Sequence, residues 1–281
     1  MNSEIKFTKM QGLGNDFIIV DFEDIKHLDV SFSELSRKMC DRKFGIGADG
    51  LIITNPEDMK ADTDASWRIF NSDGSQPQMC GNGIRCFAKY LFKNKLVKSN
   101  EFTINTLAGI ITPKILDNNL VKVNMGIPVL KPELIPFKGD RILKFPLQIL
   151  DKKFEINAIS MGNPHCVIFT EESSKEFAEK YGSVLEKHEL FPEKTNVEFI
   201  SIISKTHIKI NVWERGCGIT LACGTGACAS VVAGILNNLT ENNVTAELPG
   251  GCLNIEWQGK ETDPVFMSGP AEFVFYGNYI Y

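Results

Sequence analysis

The 281-residue chain has no Cys-x-x-Cys pair and no His-x-x-x-His spacing, so the common zinc-ligand patterns are missing and no metal is expected. It has little basic charge: 30 Lys and Arg face 35 Asp and Glu, and no basic cluster stands out. Neither nucleic acid nor an anionic membrane is therefore an expected partner. The opening MNSEIKFTKM lacks the apolar core of a signal peptide. Residues 219–240 carry no charge, but Cys-Gly-Thr-Gly interrupts the run and Asn237-Asn238 ends it. The remaining helix, Ala227–Leu236, falls well short of the roughly 20 residues a membrane span needs, and its uniformly apolar faces suit burial inside a domain. The loop FGIGAD at 44–49 lacks both the G-x-G-x-x-G fingerprint and the lysine of a phosphate-binding loop, so a nucleotide cofactor is not indicated. Eight cysteines in a chain of this length do not read as a disulfide framework; they suit a reducing cytoplasm.

What the chain does contain is a repeat. NSDGSQPQMCGNGIR at 71–85 is echoed by WERGCGITLACGTGA at 213–227, each with a cysteine followed by Gly-x-Gly and a helix-like run. Phe70 and Trp213 each sit ten positions before the cysteine, at the end of a strand-like segment. Gly14-Asn15 before FIIV is matched by Gly162-Asn163 before the near-parallel CVIF. Two units, each with one cysteine at a helix N-terminus, would together supply a two-thiol site.

Around these motifs the patterning is mostly β. Residues 5–22 read as two strands about a turn, the second apolar enough to be buried on both faces. Ser31 and Glu34 have capping-box spacing, predicting a helix over 32–40 with Phe32, Leu35 and Met39 inward. Ile84, Phe87, Ala88, Leu91 and Phe92 form an apolar helical face, with Arg85, Lys89 and Lys93 opposite. Ser173 with Glu176 predicts another helix ending near Gly182. Strands outnumber helices in both halves, without the alternation of a doubly wound sheet, so two mostly β units wrapped around a central helix each are expected.

The chemistry follows from the helix starts. Unpaired N–H groups at the positive end of a helix bind a carboxylate, and glycine lets it approach. The same field favours thiolate. Two such cysteines suit removal of an α-proton on one face of an amino acid and its return on the other, with the amides stabilising the carbanion. A lone cysteine among glycines is most often a small buried residue; two in matching context point to function. Cys40, Cys86, Cys166, Cys228 and Cys252 fit apolar patterns and read as structural, while Cys217 stays open. His165, beside the Gly-Asn turn, could hold a cysteine ionised. Arg215 could bind a carboxylate in bidentate fashion, and Glu214 could accept from an ammonium or tune a thiol.

These residues together resemble the diaminopimelate epimerase family over nearly the whole chain. The resemblance rests on GLGNDF at 12–17, FNSDGS at 70–75, CGNGIRC at 80–86, MGNPHC at 161–166, PEKTNVEF at 192–199, WERG at 213–216, ACGTGAC at 222–228 and LPGG at 248–251. It implies an α+β fold of two pseudo-symmetric β-rich units, each a curved mixed sheet or barrel around a central helix. The units would be 1–125 plus 269–281, and 126–268. It also implies cofactor-independent interconversion of LL- and meso-diaminopimelate in lysine and cell-wall precursor synthesis, by a cytoplasmic homodimer. Cys80 and Cys223 would be acid and base, with His165 and Glu214 setting their ionisation. Asn15, Asn71, Asn82, Asn163, Asn196, Glu214 and Arg215 would contact substrate, and the backbones of Gly81, Gly224 and Thr225 would hold its α-carboxylate. Two positions depart from common family usage: Gly50, where some members have Gln, and Ile219, where Glu is frequent. The competing readings are a proline-racemase-like or hydroxyproline-epimerase-like isomerase, a phenazine-biosynthesis-like isomerase without the cysteine pair, and a non-catalytic zinc or amino-acid-binding protein.

Overall fold

The computed structural model describes residues 4–171 and 173–281. Strands β1 (Glu4–Gly12) and β2 (Asn15–Asp21) lead through α1 (Phe22–Ile25) into α2 (Phe32–Cys40). Then come β3 (Gly50–Thr54), β4 (Ala65–Asn71), α3 (Gly81–Lys93), β5 (Ile104–Thr106), β6 (Gly109–Ile111), β7 (Lys114–Ile115) and β8 (Val121–Asn124). A second series holds β9 (Phe145–Ile149), β10 (Lys152–Ser160), β11 (Pro164–Phe169), α4 (Lys175–Glu186), β12 (Asn196–Ser204), β13 (His207–Glu214) and β14 (Gly218–Ile219). The chain ends with α5 (Gly224–Leu236), β15 (Asn243–Leu248), β16 (Gly251–Glu256), β17 (Phe266–Gly269) and β18 (Glu272–Ile280). Contacts divide it into unit 1, Met1–Val123 with Gly269–Tyr281, and unit 2, Asn124–Ser268.

The two units repeat one topology. In unit 1 the strand order is β18-β1-β2-β3-β4-β5-β6, with β2/β3 and β4/β5 parallel and the other pairs antiparallel. In unit 2, β10-β11-β12-β13-β15-β16 follows the same alternation, with β11/β12 and β13/β15 parallel. The register matches residue for residue: Phe17 faces Gly50 across β2/β3, and His165 faces Asn196 across β11/β12. Neither order closes on itself, so the units are open mixed sheets and the barrel alternative does not hold.

Each of these sheets is covered by helices, which explains the uninterrupted apolar strands. In unit 1, Ile18, Val20, Leu51 and Ile53 pack with Leu35 and Met39 of α2. α3 packs on β1 and β2, with the Phe87 ring 5.6 Å from that of Trp67. In unit 2, Cys166, Ile168, Val197 and Phe199 pack with Phe177, Tyr181 and Leu185 of α4. α5 lies against β10, β11, β12, β15 and β16 and is buried from Gly226 to Gly234, as its apolar circumference requires.

Local expectations were met unevenly. Ser31 caps α2 by accepting from the Glu34 amide, as its spacing predicts. The cap of α4 is Ser174, which accepts from the Phe177 amide, whereas Ser173 donates to the Phe199 carbonyl. The helix runs past Gly182 to Glu186; that glycine permits close packing, since a Cβ there would lie 2.6 Å from the Trp213 side chain. Pro113 lies between β6 and β7. On α3, Arg85 is fully buried and Phe92 is 40 % exposed, the reverse of the polarity pattern. Cys252 is exposed on β16 rather than structural.

Candidate active site

Both cysteines are helix N-caps in which sulfur takes the place of the usual side-chain oxygen. The Gly83 amide donates to Cys80 Sγ at 3.4 Å, and the Gly226 amide to Cys223 Sγ at 3.3 Å. The first full helical turns close at Ile84 N–Cys80 O, 2.8 Å, and Ala227 N–Cys223 O, 3.0 Å. The amides of Gly81 and Asn82, and of Gly224 and Thr225, therefore precede any intrahelical acceptor and suit a carboxylate. Glycine at the third position follows from crowding. A Cβ on Gly83 would sit 3.1 Å from Ile69, and one on Gly226 2.6 Å from Glu198 Oε1.

In unit 1, Asn15 and Asn82 gather at Cys80. Asn15 Oδ1 lies 3.8 Å from Cys80 Sγ and accepts from Asn82 Nδ2 at 3.2 Å. Asn15 Nδ2 donates to Asp49 Oδ2 at 2.7 Å, which fixes which end of the amide faces the sulfur. Asp49 is held in turn by the Asp16 amide and by Arg42, whose guanidinium also bonds Asp16 at 2.7 Å. Burial pushes the Asp16 carboxyl up, but hydrogen bonds from Arg42 and Lys9, with their charge, outweigh it and bring it to about 2. Arg85 braces the helix start from within, donating to Asn82 Oδ1 at 2.8 Å and to the carbonyls of Gly81 and Pro270. Asn71 stands apart from this group: it is exposed and donates to Ser75 Oγ at 2.9 Å.

In unit 2 the constellation is denser. Cys223 Sγ lies 3.5 Å from Thr225 Oγ1, which accepts from Asn163 Nδ2 at 3.3 Å. Asn163 Oδ1 is 3.0 Å from His165 Nε2, and His165 Nδ1 is 2.7 Å from Glu198 Oε1. His165 and Glu198 are completely buried. Glu214 accepts from Thr220 and hydrogen-bonds the Cys223 thiol; burial holds its carboxyl above the ordinary range. Asn196 is buried with its amide committed to backbone, donating to the Pro164 carbonyl and accepting from the Arg215 amide. Arg215 is exposed and donates to the Glu193 carbonyl at 3.0 Å.

The electrostatics differ from the sequence expectation in one respect. Burial, reinforced by Glu214 and Glu198, pushes the Cys223 thiol well above its usual range, against the help of Thr225 and the Gly226 amide. The helix terminus does not by itself make this sulfur a thiolate. Asp49 and Arg42 fall in none of the motifs that carry the family resemblance, and Glu198 lies within PEKTNVEF, where sequence alone assigns it no role. Asp49 lies in the glycine-rich loop, and Glu198 reads as one polar residue in a strand. Among the described residues, no group of three or more His, Cys, Asp or Glu is arranged to hold a metal ion.

A mixed sheet with a buried helix, repeated in two units and each carrying a cysteine at the helix start, defines a class of two-unit folds with sulfur-capped helices. The profile of the diaminopimelate epimerase family matches residues 7–131 and 157–274. A diaminopimelate epimerase of Halothermothrix orenii is 54% identical over 285 residues, spanning 99% of this chain and 98% of that one. Among solved structures, a Bacillus anthracis phenazine biosynthesis protein of the PhzF family aligns with a TM-score of 0.70 at 16% identity, covering 98% of each chain. A probable proline racemase from Agrobacterium radiobacter K84 aligns at 0.67 and 14% identity, covering 97% of this chain and 92% of that one. Those two share the fold. The chain belongs to the diaminopimelate epimerase family.

Proposed function

We propose that the chain epimerises diaminopimelate by two-thiol proton transfer, with Cys80 and Cys223 as the reacting groups. The overall reaction is that of its family, interconversion of LL- and meso-2,6-diaminopimelate, an isomerisation. The observation that carries the mechanism is the matched pair of sulfur N-caps, Gly83 N–Cys80 Sγ and Gly226 N–Cys223 Sγ. One cysteine, as thiolate, takes the α-proton; the other, as thiol, returns its proton to the opposite face, and the roles exchange in the reverse direction. The carbanion's electron pair delocalises into the α-carboxylate, which the amides of Gly81, Asn82, Gly224 and Thr225 would hold. Asn15, Asn82 and Asn163 would orient the substrate near each sulfur, Asn71 and Arg215 would read its more distant polar groups, and Asn196 would serve that end by holding the Arg215 backbone amide. Glu214 and His165 would govern the charge on Cys223. No cofactor takes part.

The protein acts as a homodimer in this reading. Support comes from β18, an edge strand whose Val274, Phe275 and Tyr276 are exposed. An unpaired apolar edge invites a second copy. No described helix is long and apolar enough to cross a membrane, and eight cysteines in a chain of this length, without the spacing of a disulfide framework, support a reducing cytoplasm.

The test is incubation of reduced protein with LL-diaminopimelate in D2O, followed by NMR without added cofactor. The meso isomer should appear with deuterium at the inverted centre, and Cys80→Ala or Cys223→Ala should abolish it. Exchange on proline or hydroxyproline instead, with diaminopimelate untouched, would overturn the substrate.

A further inference from the structure

The repeat supplies a control for every residue in unit 2. Aligned through the strand registers, His165 occupies the position of Phe17 and Glu198 that of Ile52. In unit 1 both positions are buried and apolar. The architecture is therefore satisfied by hydrocarbon there, and an imidazole with a carboxylate is costly to bury. Moreover, Glu198 Oε2 is buried with no hydrogen-bond partner among the described residues. A pair kept at such cost, where its counterpart needs only packing, points to function.

Hydrogen-bond directions say what that function is. Asn163 Nδ2 donates to Thr225 Oγ1, so Oδ1 is the end facing His165, and a carbonyl oxygen only accepts. His165 Nε2 must then carry its hydrogen. At 2.7 Å, Nδ1 and Glu198 Oε1 must also have a proton between them, since two lone pairs would repel at that separation. The pair holds that proton together, as imidazolium with carboxylate or as imidazole with carboxylic acid. We propose that Glu198 is a positioning residue, which locks His165 in its Nε2–H form so that Asn163 turns its NH2 group toward Thr225 and Cys223.

Glu198 acts through His165 and Asn163 and need not touch the substrate. Gly226 belongs to the same device, because any Cβ there would meet Glu198 Oε1 at 2.6 Å. Without the proton on the Nδ1 side, the imidazole could place its hydrogen on Nδ1, and the Asn163 amide would turn over to donate to Nε2. Its oxygen would then face Thr225, reversing the dipole beside Cys223.

The inference rests on the proposed reaction only for its kinetic readout. The experiment compares Glu198→Gln and Glu198→Ile by epimerase assay, thermal unfolding and 15N NMR of the His165 ring. Gln can donate to Nδ1 and preserve the Nε2–H form, so kcat should stay within about threefold of wild type and Nε2 should remain protonated. Ile restores the unit 1 residue and cannot donate; kcat should fall about tenfold or more, the loss expected when a reacting group is misplaced. The double variant His165→Phe, Glu198→Ile, which copies the apolar pair of unit 1, should remain folded, separating stability from activity. Full activity in Glu198→Ile would overturn the proposal, as would Glu198→Gln being as impaired as Ile, which would mean that charge rather than orientation matters. If Glu198→Ile does not fold, the Gln variant still decides: a His165 ring protonated on Nδ1 and bare at Nε2 would refute the lock. Because the NMR readout does not depend on the substrate, a wrong reaction assignment would show as an intact lock in a protein without epimerase activity.

Discussion

Asn15 donates to Asp49 at 2.7 Å, and that one bond fixes the amide end that meets Cys80. A carboxylate cannot donate, so Asn15 must give its NH2 group to Asp49 and keep its oxygen for Asn82 and the sulfur. Unit 2 holds its corresponding asparagine by different means, through His165, and presents the opposite end. The two repeated motifs are thus unlike in polarity where their backbones are alike.

Replacing Asp49 should expose this dependence. Asp49→Ala frees the Asn15 amide to invert, and kcat/KM for diaminopimelate should fall about ten- to a hundredfold. The fold should survive, since Asp16 keeps its bonds to Arg42 and Lys9. Steady-state kinetics beside a thermal melt checks this; unchanged kcat/KM would mean that Asn15 needs no orienting partner.

Gly226→Ala places a methyl group against Glu198 Oε1 and Cys223 Sγ, which would lie 2.6 and 3.2 Å from the new Cβ. Glu198 is fully buried and held by His165, so overpacking of about 1–3 kcal/mol is expected. Chemical denaturation measures the loss. Activity should fall further than stability, because the displaced carboxylate also releases His165.

Alkaline pH should destabilise the protein through its buried thiols. Burial raises Cys40 to about 11 and Cys86 to about 12, and lifts Cys166 well above its usual range. Above the ordinary thiol range, near pH 9, the unfolded chain has lost protons that the folded chain retains, so folding becomes less favourable as pH rises. The contribution is complete below about pH 9 and is lost as pH climbs through 11 to 12, at up to about 1.4 kcal/mol per pH unit for each thiol. Urea unfolding at pH 8 and pH 10.5 compares the two regimes, and Cys40→Ala should flatten the slope.

A charge on the β18 edge should break the proposed dimer. Tyr276 is 64 % exposed beside Phe275 and Val274, and Tyr276→Asp would bury an unpaired carboxylate in any apolar contact made there. Sedimentation should report a dimer for the wild type and a monomer for the variant. A monomeric wild type would refute the assembly.

The two cysteine-capped helix starts of the candidate site were legible because their signals are local. A cysteine before Gly-x-Gly at the start of an apolar helix can be read from a few consecutive residues, and so can Ser31 as the cap of α2. The duplication was legible for the same reason, since equal spacing survives without knowledge of contacts. Arg85 was misread because a periodicity rule assigns a charge to the solvent side. In the folded chain the guanidinium turns inward to the Gly81 and Pro270 carbonyls, the latter 185 residues away.

By itself, then, the order of residues determined the family, the two-unit plan and the two cysteines at their helix starts, all properties of short segments and their spacing. Tertiary structure alone decided which charges stand behind the asparagines. Asp49 reaches Asn15, and Glu198 reaches His165, only once parallel β2/β3 and β11/β12 pairing has brought segments more than thirty residues apart into register. Hydrogen-bond direction and burial are properties of such assembled neighbours, and a linear sequence does not specify them until the strands have paired.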